Sequence, residues 1–149
     1  MARLPLYEER VQVFVDVEHP LAAAIDPIPL ASLSDRPWIL PGSDTALRGE
    51  LEEEFARLRA PLPANRVETT NVLTVRELLR DRRTLAVLPA LIGNSHDNLV
   101  SLPVDLASVS HQVGLSLAVG RALSPAAAAF VHALRRVAAE GLTSPAPEI

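Results

Sequence analysis

The stretch RVETTNVLTVRELLRDRRTLAVLP, Arg66 to Pro89, constrains the fold most, because it holds a strand, a polar corner, an amphipathic helix and a second strand without slack between them. Val67 opens a short extended run. Thr69, Thr70 and Asn71 then offer side-chain oxygens of the kind that satisfy orphan N–H groups at a helix start, and Val72, Val75, Leu78 and Leu79 recur at helical spacing. Leu85, Ala86, Val87 and Leu88 make a nearly all-apolar run, as a parallel strand covered on both faces does, and Pro89 ends it. The segment predicts one βαβ crossover. In such a unit the carboxyl end of the strand and the amino end of the helix share a corner where free N–H groups and the helix dipole favour an anion. Any chemistry is expected at Thr69 to Val72.

Upstream, Val11, Val13, Val15 and Val17 alternate with Gln12, Phe14 and Asp16, the period of two of a strand. A proline-rich passage (Pro20, Pro27, Pro29) leads through the loop Ile28 to Leu33 into Trp38, Ile39 and Leu40, a brief buried strand. After the turn Pro41 to Asp44, the spacing of Leu47, Leu51, Phe55 and Leu58 predicts a helix with one apolar face. Ser43 or Asp44 is placed to cap it, and Glu50, Glu52, Glu53, Glu54 and Arg57 fall on its wet side. Beyond Pro89 comes a polar tract, Gly93 to Asn98, and then a short strand at Leu99 to Pro103. Val113, Leu115, Leu117 and Val119 alternate as a strand, and Ser124 with Pro125 opens a helix whose apolar face carries Phe130, Val131, Leu134, Val137 and Ala138 before Gly141. The tail Thr143 to Ile149 is expected to fray.

A chain of 149 residues with 48% apolar and 21% charged residues suits one ordinary globular domain. Without cysteine it has neither disulfides nor thiolate metal ligands. Its 14 basic residues are all arginine, are dispersed, and are outweighed to a net charge of −4, so a basic footprint for nucleic acid is not expected. Glu8, Glu9 and Arg10 interrupt the place where a signal peptide needs an apolar segment, and no run approaches the ~20 residues of a membrane span. A cytoplasmic location and no membrane partner are therefore expected.

The order of these pieces resembles the carboxyl-terminal part of the effector-binding domain of LysR-type transcriptional regulators, over roughly Leu4 to Ala139. The resemblance rests on EHPLA at Glu18 to Ala22, ASLSDRPWILP at Ala31 to Pro41, VETTNVLTVRELL at Val67 to Leu79, LAVLP at Leu85 to Pro89 and RALSPAAAAFVHALRRVA at Arg121 to Ala138. It implies an α/β fold like a type 2 periplasmic binding protein, in which two lobes joined by crossing strands close over a small molecule. Lobe II would be complete at about 25–110. Residues 4–24 and 111–141 would supply hinge strands and a remnant of lobe I, with 142–149 as tail. The winged helix-turn-helix through which such regulators reach DNA is expected to be missing. Where many members carry a glycine-rich step, this chain has Asp81, Arg82, Arg83 and Thr84. Apolar faces meant for absent strands would be left wet at ~25 cal/mol per Å², so self-association as a homodimer or higher oligomer is expected.

By the same resemblance, the rim formed by Ser43 and by the Thr69 to Asn71 corner faces the effector. Ser43, Thr70, Asn71 and Val72 are the candidate ligand-binding residues, offering hydroxyl, amide and backbone N–H groups to a small anionic molecule. The competing structural reading is that the same residues only cap helices; Thr74 with Glu77 also fits a capping box. His19, His96, His111 and His132 lack the spacing of a metal site, and no cofactor or metal is expected. Gly114 to Ala118 approximates a hydrolase nucleophile elbow, but Ser116 falls inside an alternating strand instead of on a sharp turn. Arg76, Arg80, Arg82 and Arg83, interspersed with Glu77 and Asp81, read as a solvated helix side. The leading expectation is an effector-sensing module of a transcriptional regulator and not an enzyme. A transport solute-binding protein and a small hydrolase are its rivals.

Overall fold

The computed structural model describes residues 1–141; the tail from Thr143 lies outside them. The chain forms two compact units, Arg10–Ser110 and the two ends, Met1–Glu9 with His111–Ile149. The larger unit includes the carboxyl-terminal half of strand β1 (Ala2–Asp16), which lies in the middle of its sheet. The other elements in chain order are β2 (Trp38–Leu40), α1 (Ala46–Arg57), β3 (Arg66–Glu68), α2 (Val72–Leu79), β4 (Leu85–Pro89), the four-residue α3 (Ala90–Gly93), β5 (Leu99–Ser101), β6 (Ser110–Leu117) and α4 (Pro125–Gly141). A 3-10 turn at Leu30–Leu33 precedes β2.

The strand order is β3-β2-β4-β1-β5, with β6 pairing β1. Strand β2 is parallel to both β3 and β4, and β1 is antiparallel to β4 and β5. The predicted βαβ crossover is thus present, but it steps over β2 instead of joining neighbours. Strand β4 is correspondingly parallel on one edge only. From β2 the chain moves one way to β3 and then back the other way to β4. With both crossovers of the usual right hand, the two connecting helices must land on opposite faces of the sheet.

The side chains bear this out. Val11, Val13 and Val15 of β1, Trp38 and Leu40 of β2, and Leu85 and Val87 of β4 pack on one face with Leu51 and Phe55 of α1. The residues between them, Phe14, Ile39, Ala86 and Leu88, pack on the other face with Val75 and Leu79 of α2. Strands β1, β2 and β4 are therefore covered on both faces, which is why LAVL is apolar throughout. Trp38 meets Phe55 edge to face, with ring centroids 5.8 Å apart, and its Nε1 donates to the Leu33 carbonyl at 2.8 Å.

Local details depart from the sequence reading. The N-cap of α1 is Thr45, whose Oγ1 accepts from the Arg48 N–H, and not Ser43 or Asp44. The Thr45 N–H closes a turn onto the Gly42 carbonyl at 3.0 Å, so the helix starts after that turn. Glu54, expected on the wet side, is 3% exposed. It accepts from Arg57 and from the Ser108 hydroxyl, which reaches it from the segment between β5 and β6. Thr74 does not open a capping box: it lies inside α2, and Glu77 pairs with Arg80.

In the terminal unit, Gln112 Nε2 donates to the Tyr7 carbonyl at 2.8 Å. Ser124 caps α4 as predicted, its Oγ accepting from the Ala127 N–H at 3.2 Å. None of this unit's described residues is buried.

Candidate functional site

Three parallel strands end side by side at one rim of the larger unit. Their register sets Ile39 beside both Val67 and Ala86, and the Thr69 N–H donates to the Leu40 carbonyl at 3.0 Å, which continues the β2–β3 ladder past its last pair. Strands β2 and β4 are neighbours whose chain connections depart to opposite sides. A crevice outside the carboxyl ends of such a pair is where open α/β sheets bind ligands.

A cavity of about 260 Å³ opens at this rim. Pro41 and Pro89 stand over the ends of β2 and β4, Leu47 comes from α1, Val72 and Val75 from α2, and Ile92 from α3. Val87 and Leu88 form its floor, and Thr69 and Thr70 supply its side-chain polarity.

Of the four candidate residues, Thr70 and Val72 line this cavity. Asn71 sits between them as the N-cap of α2, its Oδ1 accepting from the Thr74 N–H at 3.1 Å. Its own N–H donates to Thr69 Oγ1 at 3.2 Å. The Asn71 side chain thus performs the capping role. The Val72 and Leu73 N–H groups, within the first turn, have no intrahelical acceptor. Ser43 is exposed in the turn after β2 and lies outside the cavity lining.

Sequence reasoning missed the side chain that fastens this rim. Arg48, in the first turn of α1, is 3% exposed. Its Nη1 donates to the Pro41 carbonyl at 2.9 Å, its Nε to Glu52 at 2.8 Å and its Nη2 to Glu68 at 3.0 Å. One guanidinium therefore ties α1 to the ends of β2 and β3. Glu68 also accepts from Arg66 at 2.8 Å, and Arg66 first and Arg48 second hold its carboxyl below the ordinary range. Only the i, i+4 spacing of Arg48 and Glu52 was visible in the sequence; the partners Pro41 and Glu68 are set by the tertiary fold.

Among the described residues no three His, Asp or Glu side chains gather where they could hold a metal ion, and no helix is long and apolar enough to cross a membrane. Ser116 lies exposed within β6, away from any strand-to-helix turn.

A mixed sheet with helices on both faces and a crevice at the reversal of strand order defines a ligand-binding α/β domain of the periplasmic-binding-protein type. The chain belongs to the family described as the LysR substrate binding domain, which matches residues 1–139. Among solved structures it is similar to the regulatory domain of CcmR from Synechocystis PCC6803 in complex with 2-PG (TM-score 0.75, 19% identity, covering 93% of this chain and 67% of that one). It is also similar to the effector-binding domain of QuiR in complex with shikimate (TM-score 0.65, 23% identity, 93% and 66% covered). A third similar structure is the BenM effector-binding domain with benzoate (TM-score 0.61, 21% identity, 97% and 66% covered). At these identities the likeness establishes the fold alone, and the chain spans about two thirds of each of these domains. No curated protein matches the sequence.

Proposed function

We propose that this chain senses a small anionic effector on behalf of a LysR-type transcriptional regulator, in the cytoplasm, without transforming it. The observation that carries the reading is the rim cavity at the carboxyl ends of β2, β3 and β4, in a chain of this family. The effector's charged group is received at the Thr70–Val72 corner, by the Thr70 hydroxyl and the free N–H groups of Val72 and Leu73, and Ser43, outside the cavity lining, meets the part of the effector that protrudes from the mouth. Asn71 holds that corner in shape through its cap. DNA binding belongs to a winged helix-turn-helix domain of the complete regulator. The effector acts by favouring one arrangement of the assembly over another, and only its differential affinity can shift that equilibrium. The protein also self-associates.

The test is a titration of the isotopically labelled chain with fractionated small-molecule extract from the source cell, followed by amide chemical shifts. A binding fraction is expected to move Ser43 and Thr69 to Leu73 first, and Thr70→Val is expected to weaken that response. Shifts confined to residues away from the rim, or none with any fraction, would sink the reading.

A further inference from the structure

We infer that the part of the effector entering the rim cavity is an apolar ring or branched hydrocarbon, so that the effector is a small acid with an apolar body and not a hydroxylated or phosphorylated acid. This rests on the function proposed above and adds the chemistry of the ligand.

Among the described residues the lining holds no charged side chain. Arg48 is nearby, but its guanidinium is committed to Pro41, Glu52 and Glu68 and is buried behind the rim. Arg76, Arg80 and Arg82 line a different, polar depression with Asp16, Glu18 and Glu77. A phosphate dianion entering the cavity would therefore lose its hydration without meeting a cation, which is unfavourable.

Hydroxyl-rich ligands fare little better. Of the two threonines, Thr69 accepts from the Asn71 N–H and keeps its O–H hydrogen to donate, so the hydroxyls of Thr69 and Thr70 are all the side-chain polarity that the lining offers. The remaining walls, Leu47, Ile92, Val75, Leu88 and the two prolines, present hydrocarbon. Each hydroxyl group pressed against them would be desolvated without a partner. Size agrees with a ring: an apolar cavity of ~150 Å³ suffices for benzene, and this one measures about 260 Å³. The carboxylate then lies at the mouth, where Val72 and Leu73 offer their N–H groups, and the hydrocarbon points inward.

The experiment titrates the labelled chain with four probes: benzoate, cyclohexanecarboxylate, glycerate and inorganic phosphate. The two ring acids are expected to shift the methyl groups of Leu47, Val72 and Ile92, and to bind at least ~tenfold more tightly than glycerate, about 1.4 kcal/mol. Ile92→Ser is expected to remove most of that preference by weakening the two ring acids more than glycerate. Should that variant unfold, Val72→Ser probes the same wall. Glycerate or phosphate binding as tightly as the ring acids at these residues would overturn the inference and leave the sensing function standing. A ring preference that survives both substitutions would also overturn it. If none of the four probes moves any rim residue, the inference falls, and the extract titration decides the sensing function separately.

Discussion

Burying a guanidinium is unfavourable unless its donors find acceptors, and Arg48 is held in place by three of them on three separate segments. Arg48→Met is expected to lower the melting temperature by about 5 °C or more, and Arg48→Lys by less, because an ammonium cannot span the same fork. Thermal denaturation followed by circular dichroism measures both. Two other buried groups set the response to acid. His19 is pushed below its ordinary pKa chiefly by burial. Its Nδ1 accepts from the Leu21 N–H at 3.0 Å, which assigns the proton to Nε2, facing the Arg83 carbonyl at 3.3 Å. Glu54 is held below the ordinary carboxylate range, first by its hydrogen bonds from Arg57, against the opposing effect of burial, and also by Ser108. In both cases the folded state binds its proton less readily than the unfolded chain does. The stabilisation is therefore complete above the unfolded pKa, ~6.5 for the histidine and ~4.3 for the glutamate, and is lost as pH falls through each folded value. Melting temperature should decline in two phases on acidification, and His19→Gln should abolish the one that begins near pH ~6.5. Glu54→Gln should weaken the lower phase, to which Glu68 also contributes, and destabilise at neutral pH by about 1 kcal/mol, a low figure because Arg57 is half in water. A single featureless decline in the unsubstituted protein would contradict this account.

The elements themselves were legible where a period was long or unbroken. The apolar run of β4, the stripe of α1 and the Ser-Pro start of α4 stand where the residues placed them, whereas β1, expected over Val11 to Val17, begins at Ala2 and ends at Asp16. What the sequence left open was decided by partners far along the chain. Gly42, Ser43, Asp44 and Thr45 contain three good caps, and the turn from Thr45 to Gly42 selects the last. Glu54 looked solvated because nothing near it in sequence announces Ser108. Helix α3 is too short to display a period, yet it places Ile92 in the site. Its last residue, Gly93, lies directly on the Phe14 ring, and a Cβ there would come within 2.1 Å of the ring carbons. Gly93→Ala is therefore expected to displace Phe14 from the α2-side core and destabilise the fold by about 1–3 kcal/mol. Urea unfolding measures the loss, and an unchanged midpoint would show that the helix can lift away freely. The candidate site was legible in part: Thr70 and Val72 could be read from the corner, whereas the contribution of Leu47, Ile92 and Arg48 follows from a strand order that periodicity does not encode.

At the scale of the molecule the two units are unequally furnished. The larger unit holds all the buried residues of the described chain, while the terminal unit leaves Phe130 64%, Val137 59% and Val119 70% exposed. Apolar side chains this open on one unit favour burial against another surface. Sedimentation velocity should show the weight-average mass rising with concentration through the tens of micromolar. Phe130→Asp should shift the population toward monomer, and a monodisperse unsubstituted monomer across that range would contradict self-association. The sheet of the larger unit, meanwhile, divides its interior into two separate oily compartments, one under α1 and one under α2. The rim cavity is lined from both, by Leu47 and Val87 of the first and by Val75 and Leu88 of the second. An occupant would act as a rivet through a laminate, so hydrogen exchange should slow in the two helices together, on either side of a partition that otherwise lets each layer loosen alone.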